Sequence, residues 1–377
     1  MEFKKPSLEM LGLRMKISSF TKPDQNFWNG KKTLITGHTG FKGSWLSLWL
    51  LKMNAKVSGI SLDPIGSNNL FDSLKIQQDL NHIVCDIRDQ NSLKNHFKKI
   101  NPDIVFHLAA QPLVLKSYKD PIETWETNLM GTLNVLDSLT SLKKECTGIF
   151  ITTDKVYKNN QLVYGYREND ELGGHDPYSS SKAACEIAIS SWRSSFLTRN
   201  KINDSLVSIA SARAGNVIGG GDVAENRIIP DVIKSLKNNE KIEIRNPFFT
   251  RPWQHVLEPL AGYLVLAEKL KKNSEDFSSS FNFGPLIESN RTVKELVEEC
   301  LKHWEGNYYI NKESNKLHEA ESLYLTIEKS MRNLGWFPKW NFHETIEKTI
   351  KWYKDVHYGD KSPLKCTLEN LNEYLND

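Results

Sequence analysis

Short apolar runs alternate with longer amphipathic stretches along the chain as far as Gly215. The runs KTLITG, KVSGIS, HIVCDI, DIVFHLAA, GIFITTD and LVSIASARAG are typical of buried β-strands, and GSWLSLWLLKMNA is typical of a helix. Strands that alternate with helices predict βαβ units and a parallel sheet with right-handed crossovers. The first half of the chain therefore predicts a doubly wound α/β fold.

The pattern changes after Gly215. GNVIGGGD predicts a glycine-rich loop, RIIPDVIKSLKNN a helix, IEIRNPFFTRPWQHV a strand and a loop, and FNFGP a last short strand. Because no linker divides the chain, we predict a smaller C-terminal substrate-binding domain that is interleaved with the first domain. The predicted parts are a disordered extension (1–24), a nucleotide-binding domain (25–212 and 252–284), a substrate domain (213–251 and 285–360) and a C-terminal tail (361–377).

Composition argues against several functional classes. The chain has 377 residues and a net charge of +3, and its 49 basic and 46 acidic side chains are interspersed, so nothing predicts binding to nucleic acid or a membrane surface. No apolar run reaches the roughly 18 residues of a membrane span. We interpret the N-terminal segment as an extension, or Met15 as the true start, rather than a signal peptide. Five scattered cysteines favour reduced thiols in a cytoplasmic protein over a disulfide framework or a metal site.

A glycine motif follows the first predicted strand. Gly37, Gly40 and Gly43 form GxxGxxG before a helix, where a phosphate can approach bare backbone at the helix N-terminus. Asp63 lies about twenty residues further on, where a carboxylate can bond the ribose hydroxyls of NAD and repel the 2′-phosphate of NADP. We therefore predict bound NAD in a Rossmann-type domain. The alternatives are a plain tight turn and, for Asp63, a turn residue before Pro64.

Further cofactor contacts are predicted where later strands end, because ligands bind at the carboxyl edge of a parallel sheet. Asp86 can face the adenine, and the small Ala109 and Ala110 let a cofactor lie close; ordinary loop residues are the alternative. Asn128 can join the hydrogen-bond network of the reacting groups or be a polar residue inside a helix. The predicted cofactor-binding residues are Gly37, Thr39, Gly40, Phe41, Lys42, Gly43, Asp63, Asp86, Ile87, Ala109, Ala110, Gln111, Asn128, Tyr178 and Lys182.

Tyr178 and Lys182 lie one helical turn apart in DPYSSSKAACE. A tyrosine is a poor base near neutral pH because its unperturbed pKa is about 10. A lysine on the same helix face can lower that pKa. Downstream of a glycine turn, the pair predicts a tyrosine base that works against a nicotinamide, and the alternative is a solvated helix face.

Thr153, Asp154 and Lys155 end the fifth predicted strand. The threonine hydroxyl can bond the substrate hydroxyl that Tyr178 deprotonates. Asp154 and Lys155 provide a second acid and base, which the loss of water after an oxidation requires. The alternative is a polar strand end with a surface ion pair. With Lys182, these residues complete the predicted catalytic set.

Arginines on a loop next to Trp253 suit a ligand that carries a diphosphate, because a planar guanidinium donates in pairs to phosphate oxygens. Such a ligand is a nucleotide sugar, and ordinary surface arginines are the alternative. The predicted substrate-binding residues are Gln111, Thr153, Asn216, Arg227, Arg251 and His255.

Taken together, these segments resemble the extended short-chain dehydrogenases that act on nucleotide sugars, and more narrowly the CDP-glucose 4,6-dehydratases. The resemblance runs from about residue 27 to about residue 355 and is carried by ITGHTGFKGSWL, TTDKVY, DPYSSSKAACE, RAGNVIGGGD, RIIPD and RPWQHVLEPL. It implies a substrate, CDP-glucose, and a product, CDP-4-dehydro-6-deoxyglucose, that leads to the deoxysugar of a surface polysaccharide. It also implies a homodimer built from the helices that carry Asn128 and Tyr178.

The resemblance further implies a mechanism. Tyr178, helped by Thr153 and Lys182, takes the proton of the sugar 4-hydroxyl while a hydride passes from C4 to NAD. Water then leaves across C5 and C6 with Asp154 as the acid, and the hydride returns to C6. Related dTDP-glucose dehydratases have a glutamate base at the position of Lys155, so Lys155 is either the C5 base or a group that stabilises the enolate.

The chain departs from the family pattern at three further positions. The family more often has Ser, Cys and Trp where this chain has Thr153, Val156 and Val223. Four other functions stay open from the sequence: a nucleotide-sugar 4-epimerase, a dehydratase for another nucleotide hexose, a net NAD-dependent dehydrogenase, and a cofactor-binding protein without activity. The pair Asp154–Lys155 argues against an epimerase, which loses no water.

Overall fold

A computed structural model describes residues 20–64, 66, 69–197, 206–311 and 322–376. The strands are β1 (Lys32–Thr36), β2 (Lys56–Ser61), β3 (Asn81–Val84), β4 (Ile104–His107), β5 (Cys146–Ile151), β6 (Val207–Ala214), β7 (Val217–Ile218), β8 (Ile242–Ile244), β9 (Thr250–Pro252), β10 (Gln254–His255), β11 (Ser280–Phe283), β12 (Asn290–Thr292) and β13 (Tyr308–Ile310). The helices are α1 (Gln25–Trp28), α2 (Phe41–Lys52), α3 (Leu70–Leu74), α4 (Gln90–Ile100), α5 (Val114–Lys119), α6 (Pro121–Trp125), α7 (Gly131–Thr140), α8 (Pro177–Trp192), α9 (Ile228–Lys237), α10 (Leu257–Lys272), α11 (Ser274–Phe277), α12 (Val293–His303), α13 (Glu328–Leu334), α14 (Phe342–His357) and α15 (Pro363–Asn376).

Seven strands form one parallel sheet in the order β11-β6-β5-β4-β1-β2-β3. The direction of winding reverses between β1 and β4, so a crevice opens at the carboxyl ends of these two strands. The register sets Thr36 at the end of β1 opposite Ile60 of β2 and His107 of β4. The doubly wound fold predicted from the sequence is confirmed, and the predicted site residues follow the ends of these strands.

Successive residues of β1 face opposite sides of the sheet. Ile35 packs in a core with Trp45 of α2 and Leu264 of α10. Leu34 packs in a second core with Leu136 of α7 and Ile189 of α8. Because both faces of the sheet are covered, the strands are apolar runs rather than alternating ones.

Three two-stranded sheets lie beyond the main sheet, pairing β7 with β10, β8 with β13 and β9 with β12. The segment predicted as one strand and a loop thus contains three short strands, β8, β9 and β10. The glycine-rich loop after β6 contains β7, whose Val217 pairs with Gln254. The division into two interleaved domains stays a prediction.

Within the C-terminal tail predicted for 361–377, residues Pro363–Asn376 form the helix α15, and Asp377 lies outside the described residues. Tyr374 is fully buried, and its hydroxyl donates to Glu258 Oε2 over 2.8 Å. The apolar face of α15 covers the core, so this segment cannot be an extended tail. Of the predicted extension 1–24, residues 1–19 lie outside the described residues, but Phe20 packs against Phe337 and Tyr374.

Within the described part of the chain, no helix combines the length and the apolar character that crossing a membrane requires.

Candidate active site

The glycine turn after β1 leaves almost no space around its backbone. Gly37 has a φ of +76°, and a Cβ there would lie 2.7 Å from the backbone nitrogen of Ala109. A Cβ at Gly43 would lie 2.1 Å from the carbonyl oxygen of Gly37, but one at Gly40 would lie 3.4 Å from it. Side chains are therefore excluded at two of the three glycines, which keeps the turn tight and bare.

We expect Gly43→Ala to destabilise the protein and Gly40→Ala to be tolerated. The methyl group at residue 43 meets backbone that cannot move aside, and overpacking of this kind costs about 1–3 kcal/mol. Gly40 has an ordinary φ of −74°. Urea unfolding of both variants measures the difference in the free energy of unfolding, and equal values would contradict the close approach of Gly43 to Gly37.

The N-terminus of α2 fits the diphosphate of a dinucleotide. The helix begins at Phe41 after Gly40, without a side-chain cap and without an acidic residue in its first turn. Its first amide groups and its dipole therefore favour an anion. Beside the turn, the Thr39 hydroxyl bonds the Ser61 hydroxyl over 2.5 Å, and Asp63 is exposed just after β2. The residues present thus fit the predicted cofactor.

The Asp86 carboxylate accepts hydrogen bonds from a neighbouring residue. Arg88 donates to it from Nε over 2.9 Å and from its backbone nitrogen over 2.8 Å. The buried Ile87 packs so closely on α7 that a Cβ at Gly131 would lie 2.4 Å from its Cδ1. Contact of Asp86 with an adenine stays a prediction.

Asn128 ties the end of β4 to the helix that carries Tyr178. It is fully buried in a π-helical turn, Glu126–Met130. Its Nδ2 donates to Ser181 Oγ over 2.9 Å, and its Oδ1 accepts from the Gln111 backbone nitrogen over 2.8 Å. The Gln111 amide donates to the Thr124 hydroxyl over 2.9 Å. Both side chains are engaged inside the protein, so they position the backbone of the site.

The sequence DPYS starts α8 at a defined residue. Asp176 caps the helix, forms a capping box with Ser179, and is followed by Pro177 at the first helical position. Tyr178 and Lys182 are therefore one turn apart, as predicted, and both are buried.

The pKa of Tyr178 differs from the prediction. Burial raises the pKa of Tyr178 to about 12, although a hydrogen bond with Thr153 and the charge of Arg227 oppose this. Lys182 donates to the Ile151 carbonyl over 3.5 Å, and burial lowers the pKa of Lys182. The prediction that Lys182 gives Tyr178 a lowered pKa is wrong in its net direction, because desolvation of a buried phenolate exceeds the favourable charges around it.

Asp154 is a buried carboxyl group with one oxygen that has no hydrogen-bond partner among the described residues. It is 2% exposed, Oδ1 accepts from the Thr153 hydroxyl over 2.9 Å, and Oδ2 is the oxygen without a partner. Burial raises the pKa of Asp154, which the charge of the half-buried Lys155 opposes. A carboxyl group with a raised pKa can donate a proton near neutral pH.

Two of the predicted substrate residues lie close to these groups. The charge of Arg227 acts on Tyr178, and the charge of Arg251 acts on Asp154. Arg227 donates to Asp222 over 3.0 Å. Asn216 is half-buried in the turn between β6 and β7, close to this end of the sheet.

His255 is a core residue, so its prediction as a substrate contact is wrong. Its side chain is fully buried between the rings of Trp45 and Trp340, with centroid distances of 5.7 and 4.8 Å. Burial lowers the pKa of His255 to about 3, so the ring is neutral. The apolar residues after His255 begin α10, which packs in the core, so His255 is buried with them.

Two interactions near the site were not predicted from the sequence. Glu186, one turn beyond Lys182, forms a buried ion pair with Arg213 of β6 over 2.7 Å, which fixes α8 against the sheet. Lys42 of the glycine turn donates to the Tyr263 hydroxyl over 3.5 Å. A signal for the first was the four-residue spacing of Tyr178, Lys182 and Glu186; no sequence signal pointed to Tyr263.

Comparison with known proteins agrees with this geometry. The GDP-mannose 4,6 dehydratase family model matches residues 34–349. A CDP-glucose 4,6-dehydratase of Salmonella typhimurium is 44% identical over 354 residues, which cover 93% of this chain and 98% of that protein. The human dTDP-D-glucose 4,6-dehydratase is 27% identical, over an alignment that covers 89% of this chain and 93% of that protein.

A solved structure shows the same fold. The UDP-glucose 4-epimerase of Thermus thermophilus in complex with NAD aligns with a TM-score of 0.72 at 23% identity, over 85% of this chain and 98% of that chain. The family model matches most of the chain, and one relative is 44% identical to it. The chain therefore belongs to the GDP-mannose 4,6 dehydratase family, within the short-chain dehydrogenase group of epimerases and dehydratases.

Proposed function

We propose that the protein converts CDP-D-glucose into CDP-4-dehydro-6-deoxy-D-glucose, as a hydro-lyase that uses bound NAD catalytically. The Salmonella relative supports the choice of substrate. The observation that carries the reaction type is Asp154, a buried carboxyl group beside the hydroxyls of Thr153 and Tyr178, with one oxygen unpartnered. A 4-epimerase needs the tyrosine but no acid for a leaving hydroxyl, so Asp154 favours dehydration.

The chain offers residues for each part of the cofactor. The bare turn from Gly37 to Gly43 would hold the diphosphate at the start of α2, and Asp63 would bond the adenosine ribose. Lys182, buried on α8, is a further residue that we assign to the cofactor. When bound, NAD supplies the acceptor for the hydride of C4 and the donor that returns it to C6.

Tyr178 accepts the proton of the sugar 4-hydroxyl. Its pKa of about 12 makes the phenol the resting form, so Tyr178 must first release its own proton to water before it can accept the proton of the sugar hydroxyl. Thr153 shares a hydrogen bond with the tyrosine, and the charge of Arg227 lowers its pKa. The charge of Arg227 stabilises the developing phenolate, and we assign to Thr153 the orientation of the sugar hydroxyl.

The two residues after Thr153 serve the elimination. Once C4 is a ketone, the C5 proton becomes acidic, and Asp154 gives its proton to the 6-oxygen as the C6–O bond breaks. Lys155 acts at C5, either as the base or by stabilising the enolate. If Lys155 is the base, it takes up the C5 proton as part of its ammonium group. This role therefore predicts that the C5 proton exchanges with water. Arg227, Arg251 and Asn216 are the residues we assign to the nucleotide diphosphate.

A substrate panel tests the proposed function. The purified protein is incubated with CDP-glucose and, separately, with dTDP-, UDP- and GDP-linked hexoses, and the products are analysed by mass spectrometry and NMR. We expect loss of one water molecule from CDP-glucose without net formation of NADH. An isomer of unchanged mass would replace the dehydratase by an epimerase, and loss of water from another nucleotide sugar would correct the substrate.

We also propose that the protein is a cytoplasmic homodimer whose product enters deoxysugar synthesis for a lipopolysaccharide O-antigen. Its five cysteines are buried free thiols, which agrees with a reducing compartment. For the dimer, α6, the adjoining π-helical turn and α8 expose the apolar side chains of Ile122, Met130 and Ile187, which are 69%, 50% and 61% accessible. Apolar side chains concentrated in this way are typical of an interface.

We expect Ile187→Glu to convert the dimer into a monomer. Ile187 lies on α8 opposite the buried face of Tyr178, and a charge there would be desolvated in the dimer. Sedimentation velocity measures the change. Val163→Glu is the control, since Val163 is 94% accessible and lies on a loop outside these helices. A wild-type monomer, or an Ile187→Glu dimer of unchanged stability, would contradict the proposed interface.

A further inference from the structure

A buried ion pair joins the helix that carries Tyr178 to the main sheet. Arg213 Nη2 of β6 donates to Glu186 Oε2 of α8 over 2.7 Å, and both side chains are buried. Burial raises the pKa of Glu186, but the charge and the hydrogen bond of Arg213 outweigh this effect and hold that pKa below its usual value. A buried ion pair often stabilises a fold no better than apolar residues of similar volume. The significance of this one lies in the two hydroxyl groups that it binds.

Thr152 attaches this ion pair to one end of the acid–base segment, residues 153–155. Its hydroxyl donates to Glu186 Oε1 over 2.5 Å. One turn earlier on α8, the ammonium of Lys182 donates to the carbonyl of Ile151 over 3.5 Å. Two successive residues at the carboxyl end of β5 are therefore held by two successive turns of the helix, immediately before the acid–base segment begins.

Tyr157 attaches the same ion pair to the other end of the segment. It follows the short 3₁₀ turn Asp154–Val156 and is buried. Arg213 Nη1 donates to the Tyr157 hydroxyl over 2.8 Å, and this hydroxyl donates to Asn282 Oδ1 of β11 over 2.7 Å. The acid–base segment thus has a buried hydroxyl on each side, and both hydroxyls bond the one ion pair.

The ion pair therefore links the two parts of the proposed mechanism. Tyr178 and Glu186 lie two turns apart on α8, and the acid–base segment is bound to Glu186 through Thr152. Both Glu186 oxygens and both hydroxyls are hydrogen-bonded, and a buried polar network that is satisfied in this way rigidifies the elements that it joins. Such rigidity matters for the reaction because a misplacement of about 1 Å in an active site can cost about 10²-fold in rate.

We propose that Thr152 and Tyr157 are positioning residues for the dehydration. Through the ion pair, their hydroxyls hold the acid–base segment at a fixed place relative to Tyr178, and neither hydroxyl transfers a proton or a hydride. Thr152 adjoins Thr153, which serves the oxidation at C4, so the Thr152 hydroxyl supports both steps of the reaction. Tyr157 is nearer to Lys155, so its hydroxyl supports mainly the loss of water. The inference rests on the proposed function, which supplies these two steps.

The test removes each hydroxyl and keeps the ion pair, because a buried charge without its partner would destabilise the fold. In single-turnover experiments with CDP-glucose, we expect Thr152→Val to slow C4 oxidation and water loss by roughly tenfold each, within the loss of about 10²-fold that a displacement of about 1 Å causes. Tyr157→Phe should slow mainly water loss. The affinities for CDP-glucose and NAD should stay near their wild-type values. Thr152→Ser keeps the hydroxyl and should restore both rates.

Tyr166→Phe is the matched control. The ring of Tyr166 stacks on that of Tyr157, with 5.2 Å between their centroids, and both are buried. The Tyr166 hydroxyl instead donates to Asn159 Oδ1 over 3.0 Å, so its loss should lower thermal stability much as Tyr157→Phe does and leave both rates unchanged. Wild-type rates in Thr152→Val and Tyr157→Phe, the same loss of rate in Tyr166→Phe, or no recovery in Thr152→Ser would overturn the proposal.

A failure of the proposed function gives a different result. If the wild-type protein removes no water from any nucleotide sugar of the panel, the dehydration is wrong. Formation of reduced cofactor from a nucleotide sugar that the protein oxidises then still measures the effect of Thr152→Val on the tyrosine and Thr153. A slower oxidation would support the positioning role of Thr152 without the dehydration, and an unchanged oxidation would overturn both.

Discussion

Replacement of Tyr178 by phenylalanine should lower turnover of CDP-glucose by roughly 10²- to 10⁴-fold, the usual contribution of a positioned general base. Phenylalanine keeps the packing of the ring on α8 but removes the hydroxyl that shares a hydrogen bond with Thr153. The glycine turn is untouched, so the affinity for NAD should change little. Product formation and a fluorescence titration with NAD measure the two quantities.

Tyr308→Phe is the matched control for this variant. Its hydroxyl donates to the exposed Glu298 of α12 over 2.8 Å, so the change removes one surface hydrogen bond and no reacting group. Turnover should equal that of wild type. Wild-type turnover in Tyr178→Phe would remove the tyrosine from the mechanism, and loss of NAD binding would assign it a structural role.

Replacement of Asp154 by asparagine should separate the two halves of the reaction. The amide oxygen can still accept from Thr153, as Oδ1 does over 2.9 Å, but the side chain has no acidic proton. Oxidation at C4 should continue, and water loss should slow by roughly 10²-fold or more. A single-turnover experiment should therefore show reduced cofactor, seen by its absorbance, that persists instead of being consumed.

The same substitution should stabilise the protein near neutral pH. Burial raises the pKa of Asp154 in the folded state, so its contribution to stability is fully present below the unfolded pKa and is lost as pH rises through the folded pKa. Asparagine does not carry this cost. Thermal unfolding should therefore show Asp154→Asn more stable than wild type at neutral pH and the difference shrinking in acid.

Asp103→Asn is the control for the kinetic measurement. Asp103 pairs with Lys144 over 2.7 Å at a partly exposed position, so its loss should change neither half reaction. If Asp154→Asn slowed C4 oxidation and water loss equally, Asp154 would not be a specific acid. A stability difference independent of pH would show that the carboxyl group is not the cause.

The fold was predictable because most strands of the main sheet, such as β1, β4 and β5, are short apolar runs bounded by turn residues. The glycine turn was predictable for a related reason: the close approach of Gly43 to Gly37 leaves no choice of residue. Tyr178 and Lys182 were predicted from their four-residue spacing. The capping residue Asp176 fixes the residue at which α8 begins, and so it determines where on the helix the two side chains lie. Local chemistry determines all of these features.

The features that could not be predicted depend on distant parts of the chain. The ring of His255 is buried by Trp45 and Trp340, and no local pattern distinguishes it from a pocket residue. The helix α15 is held against the core by the hydrogen bond from Tyr374 to Glu258, a residue that is distant in the sequence. The raised pKa values of Tyr178 and Asp154 result from burial that only the packed structure reveals.

The central claim is that the hydride removed from C4 returns to C6 of the same sugar. It is tested most directly with CDP-glucose that carries deuterium at C4, incubated with the purified protein and a catalytic amount of NAD. We predict a 4-keto-6-deoxy product with the deuterium in its C6 methyl group. Deuterium retained at C4 of an isomerised sugar, or released into a pool of reduced cofactor, would contradict the account and make the protein an epimerase or a net dehydrogenase.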